Sequence, residues 1–248
     1  MAQSYTSPMT VLLALDSSTE TMALSLTSPA GRWLFESDGG PQASSRLVPE
    51  ALALLAQAGL KLADVDAIAF GRGPGAFTGL RAACAVVQGL AFGAGKPVLA
   101  IDSLMLVAED ARQQAGAAFE GLMWVAMDAR MGEIYAGAYR WVEGAWQQDQ
   151  APMLYSPESL MAHWGQPTAL CGSALTVFAD QLAPALQAPT QSWPRHQSRA
   201  AALAALAAQA WTQGALLDAA EAMPIYVRDK VAQTTAERMA LREQAAAS

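Results

Sequence analysis

The stretch Gly71-Arg72-Gly73-Pro74-Gly75-Ala76-Phe77-Thr78-Gly79-Leu80-Arg81 constrains this chain more than any other. An apolar run, Val65 to Phe70, precedes it, and a run of mostly small residues, Ala82 to Gly95, follows. The first reads as a short buried strand and the second as a helix, so the stretch is a glycine-rich strand-to-helix turn. Glycines at 71, 73 and 75 let the backbone bend sharply or approach another group closely. Pro74 stiffens the loop, and Thr78 is expected to cap a helix whose first residue is Gly79. A turn of this kind can hold an anion at the helix N-terminus. It is not a Walker A loop, because no Gly-Lys-Ser/Thr follows, and its glycines do not fit G-x-G-x-x-G. Two readings stay open: an anion cradle, or a tight structural turn. Arg81 in the first helical turn opposes the helix dipole unless a carboxylate or phosphate sits beside it, which points to a bound anion or a partner's acidic group.

Upstream, Val11 to Leu15 is a continuous apolar run, consistent with a strand buried on both faces. It ends in Asp16-Ser17-Ser18-Thr19-Glu20. An aspartate ending the first strand opposite a later glycine loop is a common way to hold magnesium and phosphate. Asp16, Ser17 and Ser18 with Gly73, Gly75 and Thr78 are therefore the candidate nucleotide or anion site, although the same residues also make good turns. Met22, Leu24 and Leu26 then alternate with small and polar residues as a half-buried strand, and Pro29-Ala30-Gly31 leads to a third strand, Arg32 to Glu36. A helix over about 44–58 carries the apolar stripe Leu47, Val48, Ala51, Leu52 and Leu55, with Pro49 near its first turn. The helix over about 77–93 has a face of small residues, Gly79, Ala82, Ala83, Val86, Gly89 and Leu90. Glycine inside a helix costs about 0.5–1 kcal/mol, so close packing is its expected return, either within the subunit or across a dimer. Val98 to Ile101 reads as a strand and Ser103 to Asp110 as a helix.

The pattern then restarts. Leu122 to Met127 is an apolar strand ending in Asp128, as the first ended in Asp16. Glu133–Tyr139 and Gly144–Gln148 are its hairpin partners, Pro157–Trp164 a short helix, Ala169–Ser173 a strand meeting a glycine turn, and Ser198–Trp211 an alanine-rich helix. The order of elements implies a duplicated α/β protein with a cleft between two lobes. Ile225-Tyr226-Val227 is a late strand-like piece, and Val231 to Ser248 is polar and alanine-rich, expected to fray.

With 248 residues and 53% hydrophobic content the chain has ample material for a core, and its net charge of -7 argues against binding nucleic acid unaided. Cys84 and Cys171 are too few for a disulfide framework and too far apart for a metal knuckle. The leader Met1 to Thr10 has neither a basic nor an apolar region of the signal-peptide kind, and no run of 18 apolar residues suggests a membrane span. A cytoplasmic protein is expected.

Three segments together, Leu13 to Glu20, Gly71 to Arg81 and Met127-Asp128-Ala129-Arg130-Met131-Gly132-Glu133-Ile134-Tyr135, resemble the TsaB family, also called YeaZ, within the TsaD-like superfamily. Pro224-Ile225-Tyr226-Val227-Arg228 also resembles a family element, and the likeness covers roughly residues 10–232. It implies the actin-like, or ASKHA, duplicated two-lobe fold related to ribonuclease H, with lobes at 10–105 and 106–232 and a tail at 233–248. The helix near 198–213 is expected to pack back on the first lobe. The likeness further implies a noncatalytic subunit of the machinery that forms N6-threonylcarbamoyladenosine beside the tRNA anticodon. Its partners would be a TsaD-like catalytic paralogue and a TsaE-like ATPase, with a homodimer when alone and tRNA met only through the complex. No cofactor of its own is implied, ATP and magnesium being handled by the partners. The catalytic paralogue carries an H-x-x-x-H metal pair, whereas this chain's two histidines, His163 and His196, are far apart, so a metallopeptidase has no ligand set here. The first-lobe helices are the implied contact surface, with Leu47, Val48, Ala51, Gly79, Arg81, Ala82, Ala83 and Val86 as its candidates. The competing reading is a small-molecule kinase of the same fold, using Asp16 for magnesium, the Gly73–Gly75 loop for phosphate and Asp128 as base. Arg130 and Glu133 are spaced to pair, with no role assigned.

Overall fold

The computed structural model describes residues 10–39, 43–187 and 190–228. The leader through Met9 and the tail from 229 onward lie outside the described residues. The chain forms β1 (Leu12–Asp16), β2 (Thr21–Ser28), β3 (Gly31–Asp38), α1 (Ala43–Gln57), β4 (Ala67–Gly71), α2 (Phe77–Ala94), β5 (Val98–Ile101) and α3 (Ser103–Ala115). The same order then recurs as β6 (Gly121–Arg130), β7 (Glu133–Val142), β8 (Ala145–Tyr155), α4 (Pro157–Trp164), β9 (Ala169–Cys171), two single-turn helices α5 (Ala174–Val177) and α6 (Ala179–Leu182), β10 (Gln191–Trp193) and α7 (Arg199–Thr212). A short β11 (Leu216–Leu217) follows.

The duplication is visible in the sheets. One runs β11-β5-β4-β1-β2-β3 and the other β10-β9-β6-β7-β8. In each, the first strand of the repeat pairs antiparallel with the second and parallel with the fourth. β11 is the one addition, antiparallel on the outer edge of β5. This is the duplicated two-lobe ASKHA fold.

Strand β1 shows why the lobes stack. Its alternating side chains enter two cores: Leu12 and Ala14 face a central one, Leu13 and Leu15 an outer one under α1 and α2. A third core lies under α4 to α6, built from Trp124, Ile134, Leu160, Leu170 and Leu175. The central core is filled by α3 and α7, which cross each other between the sheets. Each serves the opposite repeat: α3 packs on β6 to β9, and α7 packs on β1 to β5. Alanines at 200, 202, 204, 207 and 210 on the buried side of α7 let it approach closely.

Several boundaries differ from the sequence expectation. α2 begins at Phe77 with Ala76 in the cap position and no side-chain cap, so Thr78 is inside the first turn rather than before it. The reason is that the Ala76 N–H is bound by the Ser18 carbonyl at 2.7 Å, which fixes where the helix can start. α3 continues past Asp110 to Ala115, supported by Glu109, whose carboxylate takes Arg112 and Gln113 one turn on. β8 is more than twice the expected length, and residues 225–227 pair with no strand. Ile225 instead donates one backbone bond to Arg72.

Asp102 caps α3, its Oδ1 accepting from the Leu104 amide at 2.8 Å and its Oδ2 from the Tyr139 hydroxyl at 2.7 Å. Burial pushes the Asp102 carboxyl up, opposed by those bonds and by Arg72. A raised folded value means a contribution to stability that is present below the ordinary value of 3.8 and lost as pH rises through the folded one. Asp102→Ala removes the cap and strands the Tyr139 hydroxyl, and is expected to cost about 2–4 kcal/mol in urea unfolding. Asp102→Asn keeps an acceptor for the cap and is expected to cost under about 1 kcal/mol, comparing best with the parent at neutral pH.

Candidate functional site

The glycine loop, the β1–β2 turn, the β6–β7 turn and the extended segment 222–228 surround a cavity of about 630 Å3 between the lobes. The glycines explain its floor. A Cβ on Gly75 would lie 2.3 Å from the Ser18 carbonyl oxygen, and one on Gly79 1.8 Å from that of Ser17. One on Gly71 would fall 1.9 Å from Asp16 Oδ1. The loop is therefore pressed onto Asp16-Ser17-Ser18, and its glycines serve that close approach. Gly73 adopts φ +105° around the cis Gly73–Pro74 bond, with the Ile225 carbonyl against it.

This arrangement commits part of the loop's backbone within the chain. The Arg72 amide goes to Ile101, the Gly73 amide to Ser103 Oγ and the Ala76 amide to Ser18. Ser17 Oγ donates to the Gly79 carbonyl at 2.8 Å. Of the candidate anion-site residues, Ser17, Ser18, Gly75 and Thr78 line the cavity, Asp16 lies buried and bonded to Ser18, and Gly73 is tied to Ser103 instead.

Asp16 is fully buried, and its Oδ2 accepts from Arg199 Nη2 at 2.8 Å and from Ser18 Oγ at 3.1 Å. Arg199 comes from the first turn of α7, and it too is buried. The carboxylate that the sequence offered for magnesium thus already holds a cation supplied by the chain. Arg199 carried no motif of its own, and only the fold reveals its partner.

The β6–β7 turn supplies the opposite wall. Asp128, Arg130 and Glu133 were noted in the sequence, and the structure gives each a partner. Arg130 bonds Asp128 and reaches across to Glu20 on the β1–β2 turn. Glu133 binds Arg228 of the 222–228 segment. Arg81 is held within the chain: its guanidinium lies 3.7 Å from the centroid of the Phe77 ring and donates from Nε to the Tyr226 hydroxyl at 3.0 Å. His163 contacts Gln150 on β8, and His196 lies near Thr21, so the two histidines sit on separate elements.

The candidate contact residues divide. Leu47, Ala51 and Ala83 are fully buried against their own sheet and offer no contact surface, whereas Gly79 is half-buried, pressed on Ser17 on one side. Val48, Ala82 and Val86 are half-buried and Arg81 is exposed. The face that does point outward on α2 is Thr78, Arg81, Ala85, Gly89 and Phe92, flanked on α1 by Leu52 and Ala56. Phe92 is 81% exposed and Leu52 48%. Spacing alone does not separate the outward face from the inward one, because α2 carries small residues all round and its two stripes look alike. The large exposed ring of Phe92 was the signal available to find it. By length and mean hydropathy α2 would also serve as a membrane span, but Leu80, Ala83, Cys84, Val87 and Ala91 pack it on the sheet as a core helix.

Arg199→Ala would leave the Asp16 charge buried without a partner and is expected to destabilise the fold by about 3–5 kcal/mol. Adding Asp16→Asn with Arg199→Met should recover most of that loss in the same thermal or urea unfolding measurement. Gly79→Ala, which drives a methyl into the Ser17 carbonyl, is expected to cost about 1–3 kcal/mol.

Comparison with known proteins places these features. A family model described as TsaD, tRNA N6-adenosine threonylcarbamoyltransferase, matches residues 40–236. The tRNA threonylcarbamoyladenosine biosynthesis protein TsaB of Escherichia coli K12 is 31% identical over 245 residues, covering 89% of this chain and 96% of that one. The protein of the same description from Haemophilus influenzae is 42% identical over 124 residues, half of each chain. Among solved structures, YeaZ from Pseudomonas aeruginosa superposes with a TM-score of 0.77 at 34% identity, covering 88% of this chain and 100% of that one.

Proposed function

Since the chain belongs to the TsaB (YeaZ) family of the TsaD-like superfamily, and so to the biosynthesis of threonylcarbamoyladenosine on tRNA, we propose that it acts there as a noncatalytic scaffold that docks a catalytic paralogue of the same fold. The observation that carries this reading is the outward face of α2. A Cβ on Gly89 or Gly93 would meet nothing within 4 Å, so no internal packing accounts for glycine there. Each costs the helix about 0.5–1 kcal/mol, a loss that a closely approaching helix of another subunit would offset. Phe92 beside them is a large ring left in water, the kind of anchor that dominates interface energetics. A paralogue of the same fold has the matching helix pair, and two such pairs can meet face to face.

The cleft supports the noncatalytic half of the proposal. Asp16 Oδ2 is paired with Arg199, and the Arg72, Gly73 and Ala76 amides are bound within the chain, so a kinase's magnesium would have to compete with a guanidinium for that carboxylate. ATP and magnesium then belong to the partners, among them a TsaE-like ATPase, and tRNA is met only through the assembled complex, in keeping with a net charge of -7. When alone, the same face would pair two copies. The setting of such work is the cytoplasm.

Purified with the TsaD-type protein of the same organism and followed by analytical ultracentrifugation, the chain is expected to form a one-to-one complex. Phe92→Asp should weaken it at least about 30-fold, the effect of losing a hot spot of about 2 kcal/mol. The isolated chain should neither hydrolyse ATP nor modify tRNA. No association, together with ATP hydrolysis by this chain alone, would overturn the scaffold and favour the kinase.

A further inference from the structure

Two parts of the molecule are not used by the scaffold reading as it stands: the β6–β7 turn, and the segment 222–228. The turn is costly in shape. Arg130 and Met131 are consecutive non-glycine residues with φ of 64° and 58°, a region that side chains disfavour. A register shift between Asp128 and Arg130 accompanies them, and such bulges re-aim side chains. Strain of this kind persists where surrounding contacts over-determine it. The re-aimed groups are the Arg130 carbonyl and the Glu133 carboxylate, and both bind the Arg228 guanidinium. Met131 Sδ lies 3.2 Å from the same guanidinium.

The segment they hold runs along the edge of the α2 face. At its start the Ala222 carbonyl accepts from Gln88 Nε2 at 2.8 Å and from Cys84 Sγ at 3.2 Å. In the middle the Ile225 amide donates to Arg72 at 2.7 Å. Tyr226 packs on Phe77 with ring centroids 5.3 Å apart and accepts from Arg81. Two of its side chains remain open to water, Met223 at 63% and Tyr226 at 44%, next to the outward stripe of Arg81, Ala85, Gly89 and Phe92. The strap therefore widens an apolar surface on the first lobe while its far end is fastened to the second.

We propose that the β6–β7 turn is a clasp: by gripping Arg228 it holds the strap 222–228 on α2, and the strap's Met223 and Tyr226 complete the surface that docks the same-fold paralogue. This rests on the docking role assigned to α2 above. It gives the second lobe a task, since the lobe that does not touch the partner through α2 sets the shape of the surface that does.

The test uses the full chain, the paralogue of the same organism and the charge swap of the clasp pair. Glu133→Arg and Arg228→Glu are each expected to cut affinity for the paralogue about tenfold, and the double exchange to return it to within about threefold of the parent. Hydrogen exchange of the Ile225 amide in the uncomplexed chain reads the strap directly, and should speed up in either single variant and slow again in the double. Unchanged exchange in both single variants would overturn the clasp. Faster exchange with unchanged affinity would show that the strap is no part of the docking surface, and would overturn the proposal as well. Phe92→Asp, which touches neither Glu133 nor Arg228, separates the two claims. If it leaves affinity untouched, the docking face itself is wrong and the clasp's purpose falls with it. If it destroys affinity while the clasp variants do not, only the clasp is wrong.

Discussion

The buried Asp16–Arg199 pair is the contact on which the rest of this architecture depends. A cation in the first turn of a helix opposes the helix dipole, and a guanidinium taken from water is expensive unless it is paired and hydrogen-bonded. Here the first repeat supplies three carboxylates to the start of α7. Asp16 takes Arg199, Glu36 accepts from the Ser198 hydroxyl and the Ala200 amide, and Asp110 accepts from the amides of Gln197 and Ser198. The amides at the start of α7, which α-helices leave unpaired, thus find acceptors on β3 and α3. That fixes the point at which the last long helix among the described residues enters the space between the sheets.

From that entry point the other features follow. α7 lies against the strands of the first repeat while α3 lies against those of the second, so neither sheet has its inner face covered by its own repeat. The end of β1, already committed to Arg199, can let the glycine loop settle directly on Ser17 and Ser18. A strand-to-helix turn whose glycines could have cradled a phosphate is instead packed backbone on backbone. The cleft persists as a shape, walled by Met127, Tyr135 and Tyr226, after its ionic groups have been turned to holding the lobes together.

Much of the fold was legible because its signals are local. The unbroken apolar run of Val11 to Leu15 marked a strand buried on both sides, and the return of the same order of elements after Leu122 marked the duplication. The site was legible only in its parts list. Asp16, Ser17, Ser18 and Gly75 do meet, yet what they do there depends on Arg199, which lies 183 positions from Asp16 and belongs to no motif. Likewise Arg130 and Glu133 looked like a pair with each other, and the structure instead sends them to Glu20 and Arg228. The outward face of α2 was blurred for a different reason: with glycine and alanine on every side, periodicity has no contrast to work with.

The exchange of α3 and α7 also sets the order in which the molecule can be finished. When a ribosome has released the first repeat through Ala115, five of the six strands of its sheet are present but their inner face is bare, since the helix that covers it begins at Arg199 and the edge strand β11 follows that helix. α3 is meanwhile exposed, waiting for strands that have yet to be synthesised. Neither half can close as an independent domain during translation. The central core is therefore buried by both repeats together, more than eighty residues of chain (Gly116 to Ser198) separating the end of α3 from the helix that packs beside it.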